Sequence, residues 1–285
     1  MKSIKICVAA ITAGVVCIAV MLGILSAAIY AENESGNSFI GLMYHQVLKD
    51  ESRAGKYIIT PNELESDLAY LSENGYVSVL PSQLVKIREQ GGRLPEKTVV
   101  ITFDDGYETG LYYVLPLLKK YGMKAVINVV GSYTDEYSRI NEEGKHLSYA
   151  YLTWNEIKKL SDSGYVEIGN HTYDMHSNNG DRNGCARKEN ESDEQYRTVL
   201  YEDVDRLSDK LQQVTGKRPV AFAYPFGSLS EGSAEIIGSA GISVFLTCCE
   251  QPCSMNRNGR IVINRYNRES GRTAQQICEE FNNAF

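Results

Sequence analysis

Two adjacent carboxylates, Asp104 and Asp105, stand at the end of the apolar run Val99-Val100-Ile101-Thr102-Phe103 and are followed by Gly106. A short β-branched run closed by Asp-Gly reads as a buried strand ending in a turn. A carboxylate there needs a cation, a metal or hydrogen-bond donors to hold its charge. Taken alone, the pair is equally compatible with a solvated turn. Two of the chain's four histidines share a second polar cluster, Gly169-Asn170-His171-Thr172-Tyr173-Asp174-Met175-His176. Residues five apart on a helix point about 140° away from each other, so this is not the i, i+4 pair of a helical zinc protease; a loop must bring the rings together. Two imidazoles and one carboxylate, with the remaining position left to water, form a catalytic set for zinc or a similar divalent ion. A His-x4-His pair by itself is more often two exposed loop side chains. Joined to the Asp-Asp tip and to His45, at the end of a third apolar run, it reads as a site.

The elements that must carry these residues alternate along the chain. Phe39 to Gln46 reads as the first strand. Thr60-Pro61-Asn62-Glu63 opens a helix with a capping box and Pro at the first helical position; Leu64, Leu68 and Leu71 share one face and Gly75 stops it. Tyr76–Val79 is a strand, a short helix runs from about 82 to 90, and the strand ending at Asp104 follows. A helix is expected over 112–121, ended by Gly122, then a strand over 125–130. Thr153-Trp154-Asn155-Glu156 caps a helix ending near Gly164, and Val166–Gly169 leads as a strand into His171. A long helix over 193–214 carries Leu200, Val204, Leu207, Leu211 and Val214 at helical spacing. Strands at 219–223, 242–246 and 261–264 and a helix over 273–282 complete the chain. Repeated strand and helix units imply the α/β class with a parallel sheet, and some eight strands in about 250 residues fit a TIM-like (β/α) barrel. In such barrels the strand tips converge on one mouth, which places His45, Asp104, Asp105, His171 and Tyr224 together.

The 285 residues suffice for one large domain. A net charge of -7 with no basic block argues against a nucleic-acid binder. Lys2 and Lys5 precede an uncharged, almost wholly apolar stretch from Ile6 to Ala31. It exceeds the roughly 7–15 residues of a signal-peptide core and reaches the roughly 20 that span a bilayer, so an uncleaved anchor is favoured over a cleaved peptide. The lysines on its N-terminal side put the rest outside the cytoplasm. The expected division is 1–31 signal anchor or signal peptide, 32–38 polar linker and 39–285 catalytic domain. Of seven cysteines, Cys185, Cys248, Cys249, Cys253 and Cys278 lie outside the apolar segment. Cys249 and Cys253 lack the second Cys/His pair of a metal knuckle, so a disulfide or plain thiols are expected.

Thr102-Phe103-Asp104-Asp105-Gly106 resembles the first motif of the polysaccharide deacetylases, the family-4 carbohydrate esterases. His171-Thr172 to His176 resembles their second motif, and Phe222-Ala223-Tyr224-Pro225-Phe226-Gly227 their third. The resemblance covers roughly residues 39–265. It implies a distorted (β/α) barrel that hydrolyses acetamido groups on N-acetylated sugars with a divalent metal, most readily zinc, with cobalt or nickel compatible. By motif position, Asp105, His171 and His176 would be the metal ligands and Asp104 the base that deprotonates the attacking water. Adjacent strand residues face opposite ways, which suits this division. Backbone N–H groups near Tyr107 would help hold an oxyanion, and Tyr107, Tyr224, Pro225, Phe226 and Arg265 would meet substrate. Adjacent carboxylates are poorly placed for a glycosidase, which needs them roughly 5–9.5 Å apart.

The chain departs from the common pattern in three places. The histidines are five rather than four apart, Ala223 replaces the third-motif Arg, and no histidine follows His176 to supply a late acid. The subgroup of biofilm poly-N-acetylglucosamine deacetylases shows this same pattern with a Met-Tyr-His motif near the domain start. Met43-Tyr44-His45 fits it, so His45 is assigned as the general acid. Arg265 either replaces the missing Arg in orienting Asp104 or makes a surface salt bridge. His146 reads as solvated surface, and Tyr133, Tyr149 and Tyr151 as packing or sugar-stacking residues. The implied activity is removal of N-acetyl groups from an extracellular N-acetylglucosamine polymer, poly-N-acetylglucosamine favoured over peptidoglycan. A catalytically silent carbohydrate-binding barrel is the rival from another class. The membrane would be met through the N-terminal segment, and no protein partner is inferable.

Overall fold

The computed structural model describes residues 37–140, 146–178, 180, 182–256 and 259–283. Seven parallel strands form the barrel wall: β1 (Ser38–Tyr44), β2 (Thr98–Phe103), β3 (Ala125–Val129), β4 (Val166–Asn170), β5 (Ala221–Ala223), β6 (Val244–Leu246) and β7 (Ile261–Ile263). Each is hydrogen-bonded to the next in this order, from Ile40 opposite Val99 to Ile261 opposite Val244. After β7 the chain continues through Asn264 and Arg265 into Tyr266–Asn267, which pairs in parallel with Leu42 and Met43 of β1. The sheet therefore returns to its first strand through a broken last one. Gly41 makes that approach possible: a Cβ on it would lie 2.3 Å from the Asn264 carbonyl oxygen and 2.8 Å from Ile263 Cγ2.

Strand residues alternate between two cores, as the two-residue period requires. Val99, Ile101 and Phe103 pack against helices, with Leu64, Leu68 and Leu71 of α1 (Pro61–Glu73) in the same cluster. Val100 faces inward with Phe39, Val126, Ala221, Val244 and Ile263. Thr102 and Asp104 follow Val100 at the same parity, so the carboxylate of Asp104 is aimed into the barrel.

The capping boxes at Thr60/Glu63 and Thr153/Glu156 both form, the second opening α5 (Trp154–Asp162). The second helix, α2, is Pro81–Glu89. The helix expected over 112–121 is a π-helical turn at Gly110–Val114 continued by α3 (Leu115–Tyr121), with Gly122 as the left-handed cap. Between β3 and α5 lies α4 (Gly131–Tyr137), unforeseen because its sequence carries no apolar stripe. The long helix α6 spans Asp193–Thr215 behind β4; α7 (Ser233–Ser239), also unforeseen, follows β5, and α8 (Ala274–Asn283) ends the described chain. The apolar segment 6–31 lies outside the described residues. Among the described residues no helix is long and apolar enough to cross a membrane. Cys185, Cys248, Cys249, Cys253 and Cys278 are all free thiols.

Candidate active site

Each polar residue of the mouth follows a strand: His45 after β1, Asp104 and Asp105 after β2, His171 after β4, Tyr224 to Phe226 after β5. His45, Asp104, Asp105, His171, His176, Tyr224 and Phe226 line a cavity of about 610 Å³ that also meets Lys56, Tyr57, Tyr107, Cys248 and Glu250. Among the described residues, the non-glycine residues at positive φ are Asp105 (70°), Thr172 (71°) and Phe226 (58°). They fall one each in the loops after β2, β4 and β5, and such strained backbone persists where surrounding structure over-determines it.

Asp105 Oδ1 lies 3.4 Å from His171 Nε2 and 3.1 Å from His176 Nε2, and the three donor atoms fall within 4.8 Å of one another. A tetrahedral zinc site with bonds of about 2.1 Å separates its donors by about 3.4 Å, so the spacing fits such an ion. The imidazole orientations fit as well. His171 Nδ1 is 2.8 Å from the Ala223 carbonyl oxygen, and donating there turns Nε2 toward Asp105. His176 Nδ1 is 3.3 Å from the Tyr133 hydroxyl, which donates to the His176 carbonyl at 3.1 Å. The electrostatics suit a cation. Burial pushes the Asp105 carboxyl up, yet hydrogen bonds from both histidines outweigh it and hold the group well below the usual carboxylate range. For His171 burial lowers the pKa, and the facing carboxylates overcome it to give a net rise.

Asp104 is held differently. Arg265 grips it with two parallel bonds, Nη1 to Oδ1 and Nη2 to Oδ2, each 2.8 Å, and Asn128 Nδ2 donates to Oδ1 at 2.7 Å. Arg265 is wholly buried and Asp104 nearly so. The guanidinium also donates to Thr102 Oγ1 (3.0 Å), to the Thr247 carbonyl (2.8 Å) and, at 4.0 Å, to Cys248 Sγ. Burial drives Asp104 up, but the Arg265 charge and then His171 outweigh it, and the carboxyl stays ionised far below its ordinary value. Gly169 on β4 leaves room for this: a Cβ there would lie 2.0 Å from Asn128 Oδ1.

His45 shares the cavity, its ring centroid 4.7 Å from that of Tyr57. Burial lowers its pKa, against the opposing pull of Asp104 and then Asp105. Phe226 is half exposed, its ring 4.6 Å from that of His176. Two residues expected to meet substrate do not line the cavity. Pro225 is buried beneath it, and Arg265 reaches Asp104 from inside the barrel wall, neither touching the cavity nor making a surface salt bridge. Tyr107 and Tyr151 form an antiparallel bridge whose hydrogen bonds run through Glu108, Ala150, Leu152 and Gly106, so the Tyr107 N–H takes no part in it. Tyr107, Tyr133 and Tyr137 all pack on Tyr151, while His146 is exposed and stacked on Tyr149. Sequence reading missed Asn128, although a lone amide inside the apolar run Ala125–Val130 was a signal. It also missed Lys56, Tyr57 and Glu250, which nothing in their local sequence marks.

Metal-assisted hydrolysis is the chemistry this mouth can perform. Sequence comparison narrows that class to a family. Residues 91–245, more than half the chain, match the polysaccharide deacetylase model, and the chain belongs to that family. It is 27% identical over 231 residues to the poly-beta-1,6-N-acetyl-D-glucosamine N-deacetylase of Escherichia coli K12, a match that takes in 74% of this chain and 34% of the relative. The chain thus spans about a third of that protein's length. The Staphylococcus aureus MRSA252 enzyme of the same name is 23% identical, over 78% of this chain and 76% of its own. Among solved structures, a de-N-acetylase from Aggregatibacter actinomycetemcomitans superposes with a TM-score of 0.73 at 26% identity, covering 85% of this chain and 99% of that one. IcaB from Ammonifex degensii gives 0.68 at 25% identity, over 86% and 97%.

Proposed function

We propose that this protein is a divalent-metal-dependent N-deacetylase acting outside the cytoplasm on a poly-N-acetylglucosamine-type polymer, anchored by its N-terminal apolar segment. The observation that carries this reading is the meeting of Asp105, His171 and His176 beside a second, separately held carboxylate. Asp105, His171 and His176 would hold the metal, most readily zinc. Bound there, it supplies Lewis acidity toward the amide carbonyl and the attacking water.

The chain's own groups divide the proton work. Oδ1 of Asp104 already accepts two hydrogen bonds, whereas Oδ2 accepts one. A carboxylate oxygen has two lone pairs, so Oδ2 is the atom left to take the proton of the attacking water. His45 delivers a proton to the departing amine. Its lowered pKa means that, once charged, it holds that proton weakly, which favours donation. The Tyr107 N–H and the exposed ring of Phe226 are assigned to the acetamide oxygen and the sugar face. The relatives named for poly-beta-1,6-N-acetyl-D-glucosamine support the choice of polymer.

The test is acetate release from β-1,6-linked N-acetylglucosamine oligomers and from peptidoglycan, with and without chelator, beside Asp104→Asn. Release from the oligomers that chelator abolishes and zinc restores is expected. Full activity in chelator refutes the metal mechanism, and release from peptidoglycan alone refutes the polymer.

A further inference from the structure

The long helix behind the histidine loop bears a carboxylate that the proposed chemistry does not use. Asp203 on α6 accepts the backbone N–H of Tyr173 on Oδ1 (2.7 Å) and that of Asp174 on Oδ2 (2.8 Å). These amides lie between His171 and His176, so one side chain holds two successive peptide groups of the connecting loop. The same helix holds the loop's start. Asn170 Nδ2 donates to the Val204 carbonyl (2.9 Å) and to Ser208 Oγ (3.0 Å), while its Oδ1 accepts the Thr172 N–H (2.9 Å). From the other side, the Gly131 N–H donates to the Thr172 carbonyl (3.1 Å) and the Ser132 N–H to that of Tyr173 (2.7 Å). Thr172 is thereby kept at a φ of 71°, a left-handed conformation that β-branched residues rarely adopt.

We infer that Asp203 is a positioning residue for the metal cluster, setting the loop path that brings His176 to Asp105. The inference rests on reading Asp105, His171 and His176 as ligands. His171 immediately follows β4 and is tied to Ala223, so its position does not depend on Asp203. His176 lies five residues out, and apart from Asp105 itself its side chain is steadied by the Tyr133 hydroxyl and the half-exposed Phe226 ring. Between the two, the Asp203 carboxylate holds two amides in a row, which leaves the loop little freedom to relax the strain at Thr172. Ligand-orienting residues of this kind change metal affinity when removed, even though they never touch the ion.

The experiment is a zinc titration of the chain against a chromogenic chelator, with thermal unfolding of the chelator-treated proteins in parallel. The wild type should take up one zinc and His176→Ala should lose it. Asp203→Ala should bind zinc about 10- to 100-fold more weakly. Asp203→Asn, nearly isosteric, keeps one acceptor but turns a donor toward the second N–H; it should show a loss in the same range while unfolding cooperatively without metal. Should Asp203→Ala fail to fold, Asp203→Asn decides. Wild-type zinc affinity in the Asp203 variants, with His176→Ala deficient, overturns the inference and leaves the ligand reading intact. Wild-type affinity in His176→Ala overturns the ligand reading and the inference with it.

Discussion

Arg265→Met is the substitution that most directly probes how the site is held. The guanidinium and the Asp104 carboxylate are 0% and 3% exposed, and their two bonds of 2.8 Å form a bidentate pair. Removing the arginine leaves a buried carboxylate with Asn128 as its remaining donor, and breaking a buried pair from one side costs about 3–5 kcal/mol. An exposed pair would cost at most about 1 kcal/mol, so urea unfolding separates the two cases. Activity should fall by about 10²- to 10⁴-fold, the usual worth of a positioned base, because an unpaired Asp104 is driven toward its neutral form. The double variant Asp104→Asn/Arg265→Met supplies the control. With both charges gone the desolvation cost disappears, so much of the lost stability should return while activity does not. A single-variant cost below 1 kcal/mol, or acetate release within a fewfold of wild type, would refute the view that Arg265 keeps the base ionised.

Three further outcomes are expected. His45→Gln should lower kcat/KM about 10²- to 10⁴-fold while leaving zinc affinity unchanged; an unaltered rate would move the acid role to another group. Gly41→Ala forces a Cβ to within 2.3 Å of a backbone oxygen that cannot swing away, so a cost of at least about 1–3 kcal/mol is expected in urea unfolding. Asp203 supplies a pH signature, since burial raises its carboxyl to about 6 despite the two amides it accepts. The folded chain then binds that proton more tightly than the unfolded one, whose group titrates near 3.8. The stabilisation is complete below the lower value and lost as pH rises through the upper one. The stability gap between wild type and Asp203→Asn should therefore narrow from pH 4 to pH 7, by at most about 3 kcal/mol; a gap that widens over that range contradicts the assignment.

Local signals made most of the fold legible. The boxes at Thr60/Glu63 and Thr153/Glu156, the left-handed Gly122 and the stripe from Leu200 to Leu211 are written in neighbouring residues, and each element formed. The Gly131–Tyr137 helix was not legible because Tyr133, Asp135 and Tyr137 face loops and other rings rather than an apolar core. The mouth was legible for a topological reason: in a parallel barrel every strand tip points to one end, so His45, Asp104, Asp105 and His171 needed only to be recognised as tips. Asp203 was half visible, an acid one position away from the apolar stripe that packs on the barrel. What no local pattern reveals is a partner brought in by closure. Arg265 meets Asp104 across 161 residues of sequence, and its own neighbourhood reads as an ordinary strand end.

That long-range contact ties the chemistry to the architecture. Asp104 follows Val100 and Thr102 along the inward face of β2, so its carboxylate is delivered into the barrel. A cation must meet it there, and the wall offers one at its seam, where the last strand breaks between Ile263 and Tyr266. Had the strand run on unbroken, residue 265 would have sat in the ladder as one more wall position. The break lets the Arg265 guanidinium collect Thr247, Thr102 and Asp104 at once, joining β6, β2 and the seam at a single point. Closing the barrel and holding Asp104 as an anion thus depend on the same contact. A lesion at the seam, such as Gly41→Ala, should accordingly depress catalysis at denaturant concentrations where the helices are still folded.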